Sequence, residues 1–172
     1  MTADLKLGVQ VVRNPKVSTF LFTDYFRGFE KVDAVRSIFK ERTEEVLRAL
    51  KVEFMSRRGY MGVSDEDGHL IVSAPYLRDG SLVDIYLDVI HELVHVRQFQ
   101  EGCKLFDEDF DYVERPTEVE AYGLAVGEAR RLGLSDLEII EYLRAEWMSN
   151  EDLRTLARRL HLSTSSLGDR EK

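Results

Sequence analysis

The clearest chemical signal in this chain is a pair of histidines with a glutamate between them in the sequence. His91 and His95 are four residues apart, and the stretch from one to the other is HELVH. In an α-helix, which has 3.6 residues per turn, their side chains would lie one above the other on one face. Two imidazoles in that arrangement can bind one Zn2+, and a carboxylate at Glu92 would lie beside the metal as a general base. The pattern therefore predicts a zinc site with His91 and His95 as ligands and Glu92 as the catalytic residue.

A catalytic zinc usually has three protein ligands and one open position, so a further ligand must be found. The best candidate is Glu118, which shares a predicted helix face with two small residues, Ala121 and Ala125. A small face would allow this helix to approach the metal helix closely. Glu120 is the rival, although it would serve as the third residue of a capping box if Thr117 were the N-cap.

Other interpretations of the same residues stay open. The HELVH pattern could be a chance match in which both histidines make ordinary hydrogen bonds, or it could form a zinc site that is only structural. Gln98, on the same predicted face, could contact substrate or simply end a polar stripe. Candidates to stabilise an oxyanion are Tyr112, Tyr122 and His161, and each of them could instead be structural.

The helix that must position the histidines is predicted from Ser81 to about Gln100, with Gly102 just after its end. Its polar residues recur at helical spacing and form one stripe: Asp84, Asp88, His91, His95 and Gln98. Most of the remaining positions are apolar, which is typical of a buried helix. A buried helix with one polar stripe needs a polar feature opposite that stripe, and a metal cleft would provide one.

The rest of the chain predicts an α+β fold. Short β-rich segments come first: 7–12, 19–22, 52–55, 60–63 and 70–77. One helix is expected over 33–50, packed along the sheet, and Pro75 suggests that the segment 70–77 is an edge strand. The second half is expected to be helical, with a helix from about Pro116 to Arg131 and further helices capped by Ser135 with Glu138 and by Ser149 with Asp152. Trp147 and Met148 are interpreted as core residues.

Length and charge narrow the functional class. The chain has 172 residues, a length that favours one domain over 1–162, followed by a tail over 163–172 that is expected to be disordered. Its net charge of -8 argues against nucleic acid as a partner. A single cysteine, Cys103, excludes a disulfide framework and a cysteine-rich zinc cage. Because no signal peptide or membrane-spanning stretch is visible, we expect a cytoplasmic protein with no membrane partner.

The HELVH stretch followed by EVEAYGLA resembles the gluzincin pattern, in which HExxH is followed by ExxA(D/N)xxA on a second helix. Soluble ImmA/IrrE-like metallopeptidases and CAAX-type membrane proteases share this pattern, and the resemblance covers about residues 81–131. It implies a zincin-like fold, with a twisted sheet and a backing helix before the HExxH helix, and it implies Glu118 as the third ligand. Tyr122 stands where these families carry Asp or Asn, so that Asp88 or another carboxylate would have to orient a metal histidine.

The sequence thus predicts a zinc-dependent metallohydrolase of the peptidase type, whose partner is a peptide or protein substrate. An edge strand before the metal helix could bind an extended peptide through its main chain. The alternative hypothesis is a zincin-fold binding or regulatory protein that holds zinc without general proteolytic activity, because a chain of this length leaves few residues for the walls of a substrate cleft.

Overall fold

The computed structural model describes residues 6–165 and 167, and it shows a mixed α+β chain. Its residues group into two compact units, one that extends to Leu105 and one that begins at Phe106. The tail predicted over 163–172 lies outside the described residues except for 163–165 and 167. Within the described residues, no helix has the length and apolar composition needed to cross a membrane.

Four of the strands in the first unit form one sheet. Among residues 6–105, the strands are β1 (Gln10–Val11), β2 (Thr19–Leu21), β3 (Phe26–Arg27), β4 (Lys51–Met55), β5 (Met61–Val63) and β6 (Leu70–Ser73). The sheet has the order β2-β4-β6-β5, in which β4 and β6 are parallel and the two outer strands are antiparallel to their neighbours. The strands β1 and β3 form a separate antiparallel pair. Alternate residues of the central strands, including Val52, Phe54, Leu70 and Val72, are fully buried, so one face of the sheet packs into the core.

The prediction of an edge strand over 70–77 is wrong. β6 ends at Ser73 and lies inside the sheet between β4 and β5, and the next residues form α4 (Ala74–Asp79). The Ser73 side chain accepts a hydrogen bond from the Tyr76 backbone, and Pro75 occupies the first helical turn. Proline is favoured there because its missing N–H has no partner within the helix in any case. Pro75 therefore begins a helix, and β5 is the outer strand.

The single helix predicted over 33–50 is also wrong, because two helices occupy this segment. They are α2 (Asp33–Phe39) and α3 (Thr43–Ala49), and a 3-10 turn over Lys40–Arg42 separates them. Lys40 has a φ of 54°, a conformation that non-glycine residues seldom adopt, and it ends α2. The apolar residues on either side of the break are still buried, so the amphipathic pattern was correct while the continuity of the helix was not.

The helix that carries the histidines matches its prediction. α5 (Leu82–Gln100) begins at Ser81, whose side chain accepts a hydrogen bond from the Asp84 backbone. Gly102, with a φ of 80°, lies just past its end in the left-handed conformation that glycine adopts without strain. Nearly every residue from Ile85 to Gln98 is buried. A four-membered aromatic cluster supports this core, and it consists of Phe22 on the short helix α1 (Phe22–Tyr25) together with Phe26, Phe29 and Tyr86.

The second unit is helical, as predicted. It contains a 3-10 turn over Tyr112–Glu114, then α6 (Pro116–Arg131), α7 (Asp136–Leu143) and α8 (Asn150–Arg159). Both predicted capping boxes, Ser135 with Glu138 and Ser149 with Asp152, are present. Trp147, however, is 58% exposed in the connection before α8, and its ring meets the Tyr112 ring edge-on at 4.6 Å. The interpretation of Trp147 as a core residue is therefore wrong.

Candidate metal centre

The two histidines of HELVH converge on one point. His91 and His95 are both buried, and their Nε2 atoms are 3.1 Å apart. Two nitrogens bound to the same tetrahedral zinc at about 2.05 Å would lie roughly 3.3 Å apart. The helical spacing of four residues has therefore brought the two Nε2 atoms to a separation that suits one metal ion.

A carboxylate completes the group. His91, His95 and Glu118 each offer one ligand atom, all these atoms lie within 4.8 Å of one another, and all three residues are buried. Two neutral imidazoles and one carboxylate are a donor set that zinc and several other divalent metals accept. The three residues can therefore hold a metal ion, whose identity the donor set alone does not fix.

Burial, and not a capping box, separates Glu118 from its rival. The N-cap of α6 is Arg115, and no side chain caps the helix there, so the capping box with Thr117 that argued against Glu120 as a ligand does not form. Glu118 is 6% exposed, whereas Glu120 is exposed. On the same helix, Ala121 and Ala125 are fully buried, as the small face predicted.

Gln98 contacts the second histidine. It lies three residues after His95 on α5, only 1% of it is exposed, and its Oε1 atom is 2.7 Å from His95 Nδ1. Because an amide oxygen can only accept, the Nδ1–H of His95 is the donor. This contact uses the ring nitrogen that does not face His91. The sequence placed Gln98 on the correct face and left open what it does there.

Glu92, the predicted catalytic base, is 8% exposed and follows His91 on α5. In the part of the chain that the structure describes, it is not one of the three residues grouped as potential ligands. Glu92 thus has the burial expected of a carboxylate that acts beside a metal, and its catalytic role stays a prediction.

Asp88, one turn before His91, is engaged with another part of the first unit. The Tyr76 hydroxyl on α4 donates a hydrogen bond of 2.5 Å to the Asp88 carboxylate. Burial and the nearby Asp88 charge raise the pKa of Tyr76 above its ordinary value, so the phenol stays protonated and remains a donor. Burial also raises the pKa of Asp84, which continues the polar stripe one turn earlier. The bond from Tyr76 fixes the orientation of Asp88 and links α4 to α5.

The other residues considered from sequence lie in different surroundings. The Tyr112 and Tyr122 hydroxyls are 3.0 Å apart, and His161 is exposed just after α8. Cys103 is exposed, and most of the acidic run between Asp107 and Glu114 is loop. The role of these tyrosines and of His161 in stabilising an oxyanion stays a prediction.

One cluster that the sequence reasoning missed surrounds His69 in the turn between β5 and β6. Its Nδ1 atom contacts the Asp67 carboxylate, and its Nε2 atom lies 2.8 Å from Glu53 on β4. Burial alone would lower the pKa of His69, but the two carboxylates outweigh that effect and raise it. Glu53 is 16 residues away in sequence, so only the parallel pairing of β4 with β6 could have revealed this contact.

Comparisons of this chain with protein-family models, curated proteins and solved structures find no match.

Proposed function

We propose that this chain is a zinc-dependent metallohydrolase, and specifically a peptidase, with His91, His95 and Glu118 as metal ligands and Glu92 as general base. The observation that carries the proposal is the buried group of three ligand atoms within 4.8 Å of one another, next to a buried glutamate on the same helix turn. Removing three such groups from water is costly unless they are paired or bind a metal. A catalytic zinc site needs this combination of neutral ligands and an adjacent carboxylate.

The chemistry divides between the metal and the protein. Zinc, when bound, would supply a Lewis acid that polarises a carbonyl and lowers the pKa of water. Glu92 would accept the proton of the attacking water and pass it to the leaving amine. The Gln98 contact would leave the Nε2 atom of His95 available to the metal.

The choice of a peptide substrate is supported by the outer strand β5. Tyr60 and Ser64 flank β5, and their backbone groups point towards β6. The Ser73 N–H donates to the Tyr60 carbonyl, and the Ser64 N–H donates to the His69 carbonyl. Because these directions alternate along a strand, the N–H and C=O groups of Met61 and Val63 point to the outer edge. No further strand pairs with β5 among residues 6–165 and 167. An extended peptide could therefore add to the sheet here, beside α5, against which β5 packs.

The decisive experiment is a Glu92→Gln substitution in zinc-loaded protein, assayed against a peptide library and unfolded proteins. We expect the variant to retain zinc and to lose about 100- to 10,000-fold in kcat/KM, because general base catalysis contributes roughly that factor. Glu101→Gln is the matched control, since Glu101 lies just after the same helix and is exposed. Equal activity of Glu92→Gln and the parent would contradict the mechanism. Full zinc occupancy of the parent without hydrolysis of any substrate would favour the binding or regulatory protein instead.

The edge-strand part of the proposal can be tested separately. Met61→Pro removes an N–H that points away from the sheet at a half-buried position, whereas Gly62→Pro disrupts pairing with β6 and serves as the destabilising comparison. We expect Met61→Pro to raise KM for peptides several-fold with a smaller loss of Tm than Gly62→Pro. An unchanged KM would show that peptides do not pair with β5.

A further inference from the structure

We propose that Gln98 is a positioning residue that holds His95 in the tautomer able to bind metal. This inference rests on the proposed metal centre, and it adds a residue that the HExxH pattern does not contain. The evidence is one contact: the Oε1 atom of Gln98 lies 2.7 Å from His95 Nδ1, and both side chains are buried.

The tautomer matters because a neutral imidazole carries one N–H and one lone pair. If the hydrogen is on Nδ1, the lone pair is on Nε2, and only that form can bind a metal through Nε2. The Nε2 atom of His95 is the one that lies 3.1 Å from His91 Nε2. The amide oxygen of Gln98 accepts from Nδ1–H, so it selects the form whose lone pair points to the other histidine.

A glutamine suits this position better than an acid because of charge. Histidine ligands commonly donate their second N–H to a carboxylate or a carbonyl. A carboxylate at position 98 would add a second buried negative charge to a helix that already carries the buried Glu92, and a buried charge is costly. The amide orients the ring without that cost.

The contact is also local, since His95 and Gln98 are three residues apart on α5 and therefore lie on one helix face. Its geometry follows from the helix itself. The orientation of His95 should for that reason already exist before metal binds, and it should be measurable in metal-free protein.

The test uses three variants of the full chain. Gln98→Met keeps the length of the side chain and removes the acceptor, and Gln98→Glu keeps the acceptor and adds a charge. Gln100→Met makes the same chemical change at an exposed position two residues later. The first measurement is the 15N NMR spectrum of the His95 ring in metal-free protein at about pH 8, where an ordinary imidazole is neutral. The second is zinc affinity by competition with a chromophoric chelator.

We expect His95 to be Nδ1-protonated in the parent, in Gln98→Glu and in Gln100→Met, and to become a tautomer mixture in Gln98→Met. Zinc affinity should fall about 10- to 100-fold in Gln98→Met and should be restored by Gln98→Glu. The inference is overturned if Gln98→Met keeps both the parent's tautomer and its affinity to within threefold while the parent binds zinc tightly. In that case the metal centre survives and only the role of Gln98 fails. A parent protein that binds no zinc overturns the metal centre and this inference together.

Discussion

The first unit contains two histidine environments that differ in almost every physical respect. His91 and His95 are buried on α5, and their contacts with each other and with the neutral Gln98 amide leave both Nε2 atoms directed at one point. His69 lies in the turn before β6, partly exposed, with a carboxylate at each ring nitrogen. A neutral acceptor at Nδ1 leaves the Nε2 lone pair of His95 able to bind a metal, whereas carboxylates at both ring nitrogens of His69 favour an imidazolium that holds a turn in place.

The groups that contact a histidine ring therefore indicate its role better than the residue type does. On α5 the histidines and Gln98 are neighbours at spacings of three and four residues, and Glu118 is the one grouped residue that comes from another helix. Around His69 the neighbours come from two elements, because Asp67 belongs to the turn and Glu53 to β4. Removing a histidine should therefore affect metal binding in the first environment and pH-dependent stability in the second.

The largest expected effect comes from His95→Ala, which removes a metal ligand. Structural zinc sites with four ligands contribute about 10–16 kcal/mol, or roughly 2.5–4 kcal/mol per ligand, so we expect zinc affinity to fall by a factor on the order of one hundred to one thousand. His69→Ala is the matched control and should leave the affinity unchanged. Chelator competition measures both. Equal losses of zinc affinity in the two variants would contradict the proposed difference between the two histidine environments.

Zinc should also stabilise the folded chain through the first environment alone. At a zinc concentration about 100 times the Kd, the free energy of unfolding should rise by about 2.7 kcal/mol, which corresponds to roughly 5–10 °C in Tm. The shift should disappear after treatment with a chelator and in Glu118→Gln, while His69→Gln should retain it. Thermal unfolding monitored by circular dichroism provides the measurement, and a full shift in Glu118→Gln would remove Glu118 from the ligand set.

A smaller and pH-dependent effect is expected for His69→Gln. Because the pKa of His69 is raised, its ion pairs contribute stability that is fully present below the ordinary histidine pKa of about 6.5 and is lost as the pH rises through the raised value. The pKa of Asp67 is lowered, so the Asp67 contribution is lost only under more acidic conditions. Both carboxylate partners of His69 are exposed to solvent, which screens these pairs, so the contribution should stay below about 1 kcal/mol.

Urea unfolding at pH 5.5 and pH 9 tests this prediction for His69. The difference in the free energy of unfolding between parent and His69→Gln should be larger at pH 5.5. A difference that grows towards pH 9 would show that His69 acts in its neutral form.

The smallest effect concerns His161, which belongs to neither environment. It has a φ of 57° directly after α8, where the backbones of His161 and Leu162 donate to the carbonyls of Arg158 and Ala157. Glycine adopts this conformation without strain, although it has more freedom in the unfolded chain. We expect His161→Gly to raise the free energy of unfolding by about 0.5 kcal/mol, measured by urea unfolding. A clear loss of stability would mean that the imidazole itself contributes to the fold.

Local sequence patterns correctly predicted the helices whose ends are set by nearby residues. The limits of α5 follow from the Ser81 cap and from Gly102, and the helices α7 and α8 begin at their capping boxes. The convergence of His91 and His95 also followed from helical spacing alone. The preference for Glu118 over Glu120 rested on the small face of α6, on the resemblance and on a capping box with Thr117. That capping box does not form, and it is the burial of Glu118 that distinguishes the two residues.

Features set by tertiary context could not be predicted. The break at Lys40 has no proline or glycine to mark it, and the interior position of β6 depends on how β5 folds back beside it. Pro75 was interpreted correctly as a boundary and incorrectly as a sheet edge, because proline also begins helices. The contact between His69 and Glu53 requires strand register, which no local pattern encodes.

The central claim is that His91, His95 and Glu118 hold one zinc ion. X-ray absorption at the zinc edge, on protein loaded with one equivalent of zinc, tests it most directly. The account predicts two imidazole nitrogens and oxygen ligands at about 2.0–2.1 Å, with the oxygen shell altered in Glu118→Gln. A sulfur ligand at about 2.3 Å, which would implicate Cys103, or fewer than two imidazoles would contradict it.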